Sequence, residues 1–365
     1  MKIKVQSFLA LLVCCLVACS PFQAGAQERK FQLADLETMY ANGLERQNAK
    51  DFAAAGTIFK QLLKLEPNNY WTKAGLAYNY LSLGQNDASA SMYEEIKGST
   101  LAGDYVFQLM AEAYLQLGQF KKALHAVEEG LGRFPNSGNL FFEQGKVLEA
   151  KEELAPALQS YFKGINVCPG NDINFKAAFS LLYTNNSGNI WCPLLGEMYL
   201  ATVHEPLVEE DSIKGLVYKA WGGYFISLGD DKINLGNNLE GRLNKLFITL
   251  TPIVSDGMSA ENLLMAHMRL ITSGATIADK GAITKWFDWQ EKIVRDGYFD
   301  IYQQWMFGSA ESRNQFNAWS EFHKGAIEKW LVYFKDHHFT PDTEFGKLFL
   351  ENIDCKALLP TKKKR

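Results

Sequence analysis

The chain has 365 residues, 47% of them hydrophobic and 13% aromatic, enough for one large core or two modest ones. Its net charge is −4, but Lys2 and Lys4 at one end and Lys362–Arg365 at the other supply six positive charges, so residues 27–361 carry −10. Such a body repels nucleic acid and offers no basic binding face, which excludes that class of function.

Residues 1–26 have the pattern of an export signal: a positive "MKIK", then "FLALLVCCLV", an apolar run too short to span a bilayer stably. Two processing sites compete. Leu16-Val17-Ala18-Cys19 resembles the bacterial lipobox, which would make Cys19 a lipidated mature N-terminus, whereas Ala24-Gly25-Ala26 before Gln27 fits ordinary signal peptidase. No second long apolar run follows, so the expectation is an exported bacterial protein of periplasm or envelope, soluble or lipid-anchored, without a transmembrane helix.

From Leu36 the chain repeats every 34 residues, in blocks beginning at Leu36, Tyr70, Asp104 and Gly138. Position 8 of each block is small (Gly43, Ala77, Ala111, Gly145), as is position 20 (Ala55, Ser89, Ala123, Ala157). Position 24 is bulky (Phe59, Tyr93, Val127, Tyr161), and Pro67, Pro135 and Pro169 close three blocks at position 32. Small residues let two helices approach, bulky ones fill the gaps, and proline stops the second helix. A fifth, degenerate unit runs from Asp172 to Pro206, its loop "TNNSGN" about three residues too long for the pattern.

This pattern resembles the tetratricopeptide repeat, a helix–turn–helix of 34 residues. The resemblance implies an all-α solenoid over 36–206 whose inner surface is lined by positions 2, 5, 9 and 12 of each first helix. Here those are Glu37, Tyr40, Leu44 and Gln47; Trp71, Ala74, Tyr78 and Leu81; Tyr105, Gln108, Glu112 and Leu115; Asn139, Phe142, Lys146 and Glu149. Family members that clamp a C-terminal carboxylate place Lys, Asn and Arg on this surface, and this chain departs from that, with Lys146 its one cation there. The surface is aromatic and slightly acidic, suited to a segment with apolar anchors, with Tyr40, Trp71, Tyr78, Tyr105 and Phe142 as candidate hot spots and Glu112 and Lys146 as polar contacts. The competing reading places some of these aromatics against neighbouring repeats or the chain's second half.

Residues 207–361 keep a helical period, in the stripe Ile213, Leu216, Val217, Ala220, Trp221, Tyr224, Phe225 and in segments 236–254, 259–274, 281–297, 298–308 and 312–338. This gives an aromatic-rich helical C-terminal domain and a basic tail at 362–365. Trp286, Trp289, Trp305, Trp319 and Trp330 are expected to fill its core, the alternative being a stacking platform for sugars or peptides. Ile190–Leu200 and Tyr298–Gly308 resemble segments of uncharacterised exported bacterial repeat proteins, a likeness that implies no activity.

No catalytic set assembles in the sequence. The histidines do not pair with acids or cysteines at metal spacing, and no G-x-S-x-G, Walker loop or G-x-G-x-x-G occurs. Outside the signal only Cys168, Cys192 and Cys355 remain, an odd set expected to be unpaired, with Cys168 and Cys192 too far apart for a bridge. The expectation is a non-catalytic binding scaffold of the cell envelope, without cofactor or metal, whose partner is a protein or peptide segment. The alternatives are a permanent structural subunit of an envelope or outer-membrane assembly complex, and an enzyme whose site lies in 207–361.

Overall fold

The computed structural model describes residues 26–187, 189, 191–202, 210–229, 282–342, 344–347 and 354–359, with side chains from residue 35 on, except those of 210–211, 224–229 and 282–284. The export signal with Cys19, the segments 236–254 and 259–274, and the tail at 362–365 lie outside the described residues. The described elements are helices, with no strand among them. Contacts divide the chain into two compact units between Leu101 and Ala102. The division falls inside the run of repeats, earlier than the domain boundary at 206 expected from the sequence.

The first unit contains α1 (Ala26–Asn48), α2 (Phe52–Leu65), α3 (Tyr70–Ser82) and α4 (Asn86–Ile96). In the second, α5 (Asp104–Gln116) pairs with α6 (Phe120–Arg133), α7 (Gly138–Ala150) with α8 (Leu154–Val167), and α9 (Ile173–Thr184) with α10 (Trp191–Thr202). The second helices of the first four hairpins start 34 residues apart, but α10 starts 37 after α8, the extra three residues lying in the loop before Trp191.

Each hairpin turns by the same device. Position 15 of every block adopts a left-handed backbone, at Lys50, Gly84, Gly118, Glu152 and Asn186 (φ between 52° and 71°). The amide of position 16 then bonds the carbonyl of position 11, as in Gln85 N to Tyr80 O at 2.8 Å and Glu153 N to Leu148 O at 2.9 Å. This closes the first helix while satisfying its last carbonyls. Glycine takes the conformation without penalty at 84 and 118, whereas Lys50 and Glu152 hold it at a cost of about 1 kcal/mol. Helix starts are capped by Asp51, Asn69 and Ser137, whose side-chain oxygens accept from the amides of Ala54, Thr72 and Leu140.

Ring-on-glycine packing explains positions 8 and 24. A Cβ added at Gly43 would lie 2.6 Å from the Phe59 ring, and one at Gly145 only 2.2 Å from the Tyr161 ring. In the third hairpin the pair is Ala111 and Val127, both fully buried. One core runs from Ala157 in α8 through α9 and α10 to the C-terminal helices as far as Leu358. All of α10 is buried, as expected of a helix covered on every side.

The C-terminal part contains α11 (Glu210–Gly229), α12 (Ala282–Arg295), α13 (Phe299–Gln303), α14 (Arg313–Phe322) and α15 (Lys324–His337). The segment 312–338, expected as one helix, is two, parted at His323, whose ring stacks on Trp319 at 4.8 Å. Trp286, Trp305 and Trp330 are buried, with Trp289 and Trp319 partly so, which favours core packing over a platform. Lys214, also buried, sets its ammonium 3.7 Å from the centre of the Trp305 ring.

The hairpin of α12 and α13 repeats the earlier turn. Gly297 is left-handed (φ 78°), Tyr298 N bonds Ile293 O at 3.1 Å, and the second helix begins two residues after the glycine, as in the first four repeats. Counted by that turn, its position 8 is Gln290 and its position 20 is Tyr302, both fully buried. Large polar residues thus stand where the repeats have Gly, Ala or Ser, and α13 continues into a π-helical turn, Gln304–Gly308, before Ser309–Glu311.

Cys168, Cys192 and Cys355 are free thiols. Burial pushes the Cys192 thiol up to about 12. At pH 8 a thiol reagent is expected to modify the half-buried Cys168 well before Cys192, read by peptide mass. Equal rates would show that α10 is accessible.

Candidate functional site

The inner-helix residues of each unit fall into those that face outward and those already engaged. In the first unit Tyr78 is 40% exposed, with its ring 6.3 Å from Phe52, and Trp71 is half-buried with its ring 5.0 Å from Tyr70. Leu81, one turn on, is half-buried. Tyr40 instead packs 5.7 Å from Phe59 against the core, and burial, helped by neighbouring Tyr70, pushes its phenol up to about 12. Gln47 is also committed, donating to Gly75 O at 3.1 Å and Asn79 Oδ1 at 2.9 Å, so it ties α1 to α3.

In the second unit Tyr105 and Phe142 are half-buried, and Phe142 packs on the core with its ring 6.1 Å from Tyr161. Glu112 and Lys146 occupy the same position of successive repeats and bind each other. Lys146 also bonds Glu143 Oε2 at 3.0 Å and lies 5.3 Å over the Phe142 ring. Burial works against the Lys146 charge, but the two carboxylates outweigh it and hold the ammonium above its ordinary range. Burial likewise opposes the Glu112 charge, and its bonds to Lys146 and Gln116 overcome this and hold the carboxyl below the usual range. Lys146 is therefore a tie between repeats before it is a partner contact.

Sequence reasoning passed over Glu143, which lies at position 6 and outside the expected inner set. Its signal was present: an acid three residues before a lysine on one helix, with a second acid one repeat earlier at the lysine's own position. Glu149 is engaged too, accepting from the Tyr161 hydroxyl at 2.8 Å.

Elsewhere in the second unit, a cleft of about 290 Å³ is lined in part by Lys285, Trp289, Lys292, His337 and Asp342. Lys285 is paired there with Asp342 at 2.8 Å and Glu344 at 2.7 Å, and the His337 ring stacks on Tyr333 at 4.2 Å. Among the described residues no three His, Cys, Asp or Glu side chains gather as metal ligands, and no helix is long and apolar enough to cross a membrane.

The tetratricopeptide repeat family matches residues 48–102, which span the junction of the first two hairpins. With the 34-residue period and the recurring turn, this identifies the hairpins as tetratricopeptide repeats. Among solved structures, "Crystal structure of MamA" is similar at 15% identity and a TM-score of 0.35, over 50% of this chain and 92% of that one. A likeness at that level adds nothing about the site. The comparison with curated proteins gives no match.

Proposed function

We propose that the protein is a non-catalytic scaffold of the bacterial cell envelope that binds a protein or peptide segment through the inner-helix faces of its repeats. The exposure of Tyr78 beside Trp71 and Leu81 carries this reading, because a bulky aromatic left in water on a rigid helix face is a typical interface anchor. Tyr105 and Phe142 are the corresponding anchors of the second unit, and Tyr40 is the weakest of the set because the core already holds it. Export through residues 1–26, with a lipid on Cys19 or cleavage after Ala26, belongs to the same proposal, and the mass of the mature N-terminal peptide tests it.

The binding test is affinity capture from envelope extract by the parent and by two variants of unchanged helicity. One carries Trp71→Ala and Tyr78→Ala, the other Tyr105→Ala. A partner held by the parent and weakened about tenfold or more in a variant supports docking at that face. Retention by both variants overturns it. Co-purification at fixed stoichiometry would make the protein a permanent subunit of a complex instead of an adaptor.

A further inference from the structure

The inner helices of the third and fourth repeats are joined by an ion triad with one charge too many. Lys146 on α7 contacts Glu112 on α5 and Glu143 on its own helix, two carboxylates for one ammonium. Glu143 is only 9% exposed, and its Oε1 also lies 3.4 Å from the same nitrogen. Among the described residues, Lys146 is the one cation that pairs with Glu112 and Glu143. Gln116 Nε2 on α5 donates to Glu112 at 2.6 Å, and the Tyr161 hydroxyl on α8 donates a hydrogen bond to Glu149. On α9, Lys176 lies over the Tyr199 ring.

We propose that this triad is a proton-operated tie between the third and fourth repeats, firm when Glu143 holds a proton and weakened when the proton leaves. With the proton on, the three groups sum to zero. Without it they carry a net negative charge largely out of water, which is costly to bury. Burial pushes the Glu143 carboxyl up to about 7, Lys146 drawing it only partly back. A carboxyl raised in the folded state binds more protons there than in the unfolded chain. Stability from this group is therefore lost as pH rises from about 4.5 towards 7, the opposite of an ordinary salt-bridged acid. Glu112 titrates below this window and Lys146 above it, so neither masks the effect. If the inner faces dock a partner as proposed above, the face between Tyr105 and Phe142 stiffens as the medium acidifies, but the tie itself does not depend on that reading.

The test compares melting of the full chain with that of Glu143→Gln, which imitates the protonated acid, at pH 5.5 and pH 8. The variant is expected to melt about 3 °C higher than the parent at pH 5.5 and about 8 °C higher at pH 8. A difference that is the same at both pH values, or that favours the parent at pH 8, overturns the tie. Glu128→Gln, a substitution of an exposed carboxylate in the same unit, is expected to leave the difference unchanged with pH. Should Glu143→Gln fail to fold, infrared spectra of the unaltered protein decide. A protonated-carboxyl band present at pH 6 and gone by pH 8 is expected, and its absence at pH 6 overturns the proposal. Failure of the capture experiment would remove the docking reading and leave these melting curves as they are.

Discussion

Gly145→Ala is expected to destabilise the wild-type protein by about 2 kcal/mol and Gly145→Val by about 4 kcal/mol, read from denaturant midpoints. The added Cβ would stand 2.2 Å from one carbon of the Tyr161 ring and 2.6 Å from the next. That ring is buried and anchored through its hydroxyl to Glu149, so it cannot swing aside cheaply. In ordinary helix interiors alanine is better than glycine by about 1 kcal/mol, and this gain is already included in the smaller figure. The sign of the effect should reverse in a Tyr161→Val background. There alanine fills space and improves the helix, reproducing the Ala111 and Val127 pair of the third repeat. Gly56→Ala is the contrast, because its Cβ would meet only Leu76 at 3.9 Å and should cost nothing. If Gly145→Ala is equally neutral, close approach at position 8 does not hold the hairpin.

Phe345→Ala is expected to cost about 3 kcal/mol and to raise hydrogen exchange in α9 as well as in 339–347. Phe345 is fully buried, with its ring 6.1 Å from Phe175 of the fifth repeat and 5.4 Å from Phe339. Around it the chain is pinned by Phe339 N to Ala201 O at 2.8 Å, and a Cβ at Gly346 would fall 2.6 Å from the Asn166 backbone. Ser187 adds a bond from its hydroxyl to Leu358 O at 2.7 Å. The fifth repeat and the C-terminal residues thus share one core, so truncating a ring in one should loosen the other. Exchange confined to 339–347 would show that the repeats close their own end without it.

The anomalies of the C-terminal helices follow from the same packing logic. At the hairpin of α12 and α13 the close-approach positions carry Gln290 and Tyr302, so its helices cannot meet as Gly145 and Tyr161 do. The π-helical turn just beyond is the kind of local adjustment that accompanies such a mismatch. The turn at Gly297 is intact because it depends on backbone conformation alone.

The sequence by itself determined the 34-residue period, the small-against-bulky pairing and the all-helical class. Each follows from a residue's own size or backbone preference repeated at constant spacing. The left-handed turns at Gly84 and Gly118 belong there too, while those at Lys50 and Glu152 are imposed by the hairpin against local preference. Only the tertiary structure decided that α12 and α13 turn like a repeat, because Gln290 and Tyr302 erase the sequence mark while leaving the backbone geometry. It also decided which residues at the inner positions are engaged within the fold. Tyr40, Gln47 and Lys146 have the right positions, but the core, a neighbouring helix and two carboxylates already hold them. Position along a repeat specifies which face a residue occupies. Whether it is still available depends on neighbours one repeat away, which local periodicity does not encode.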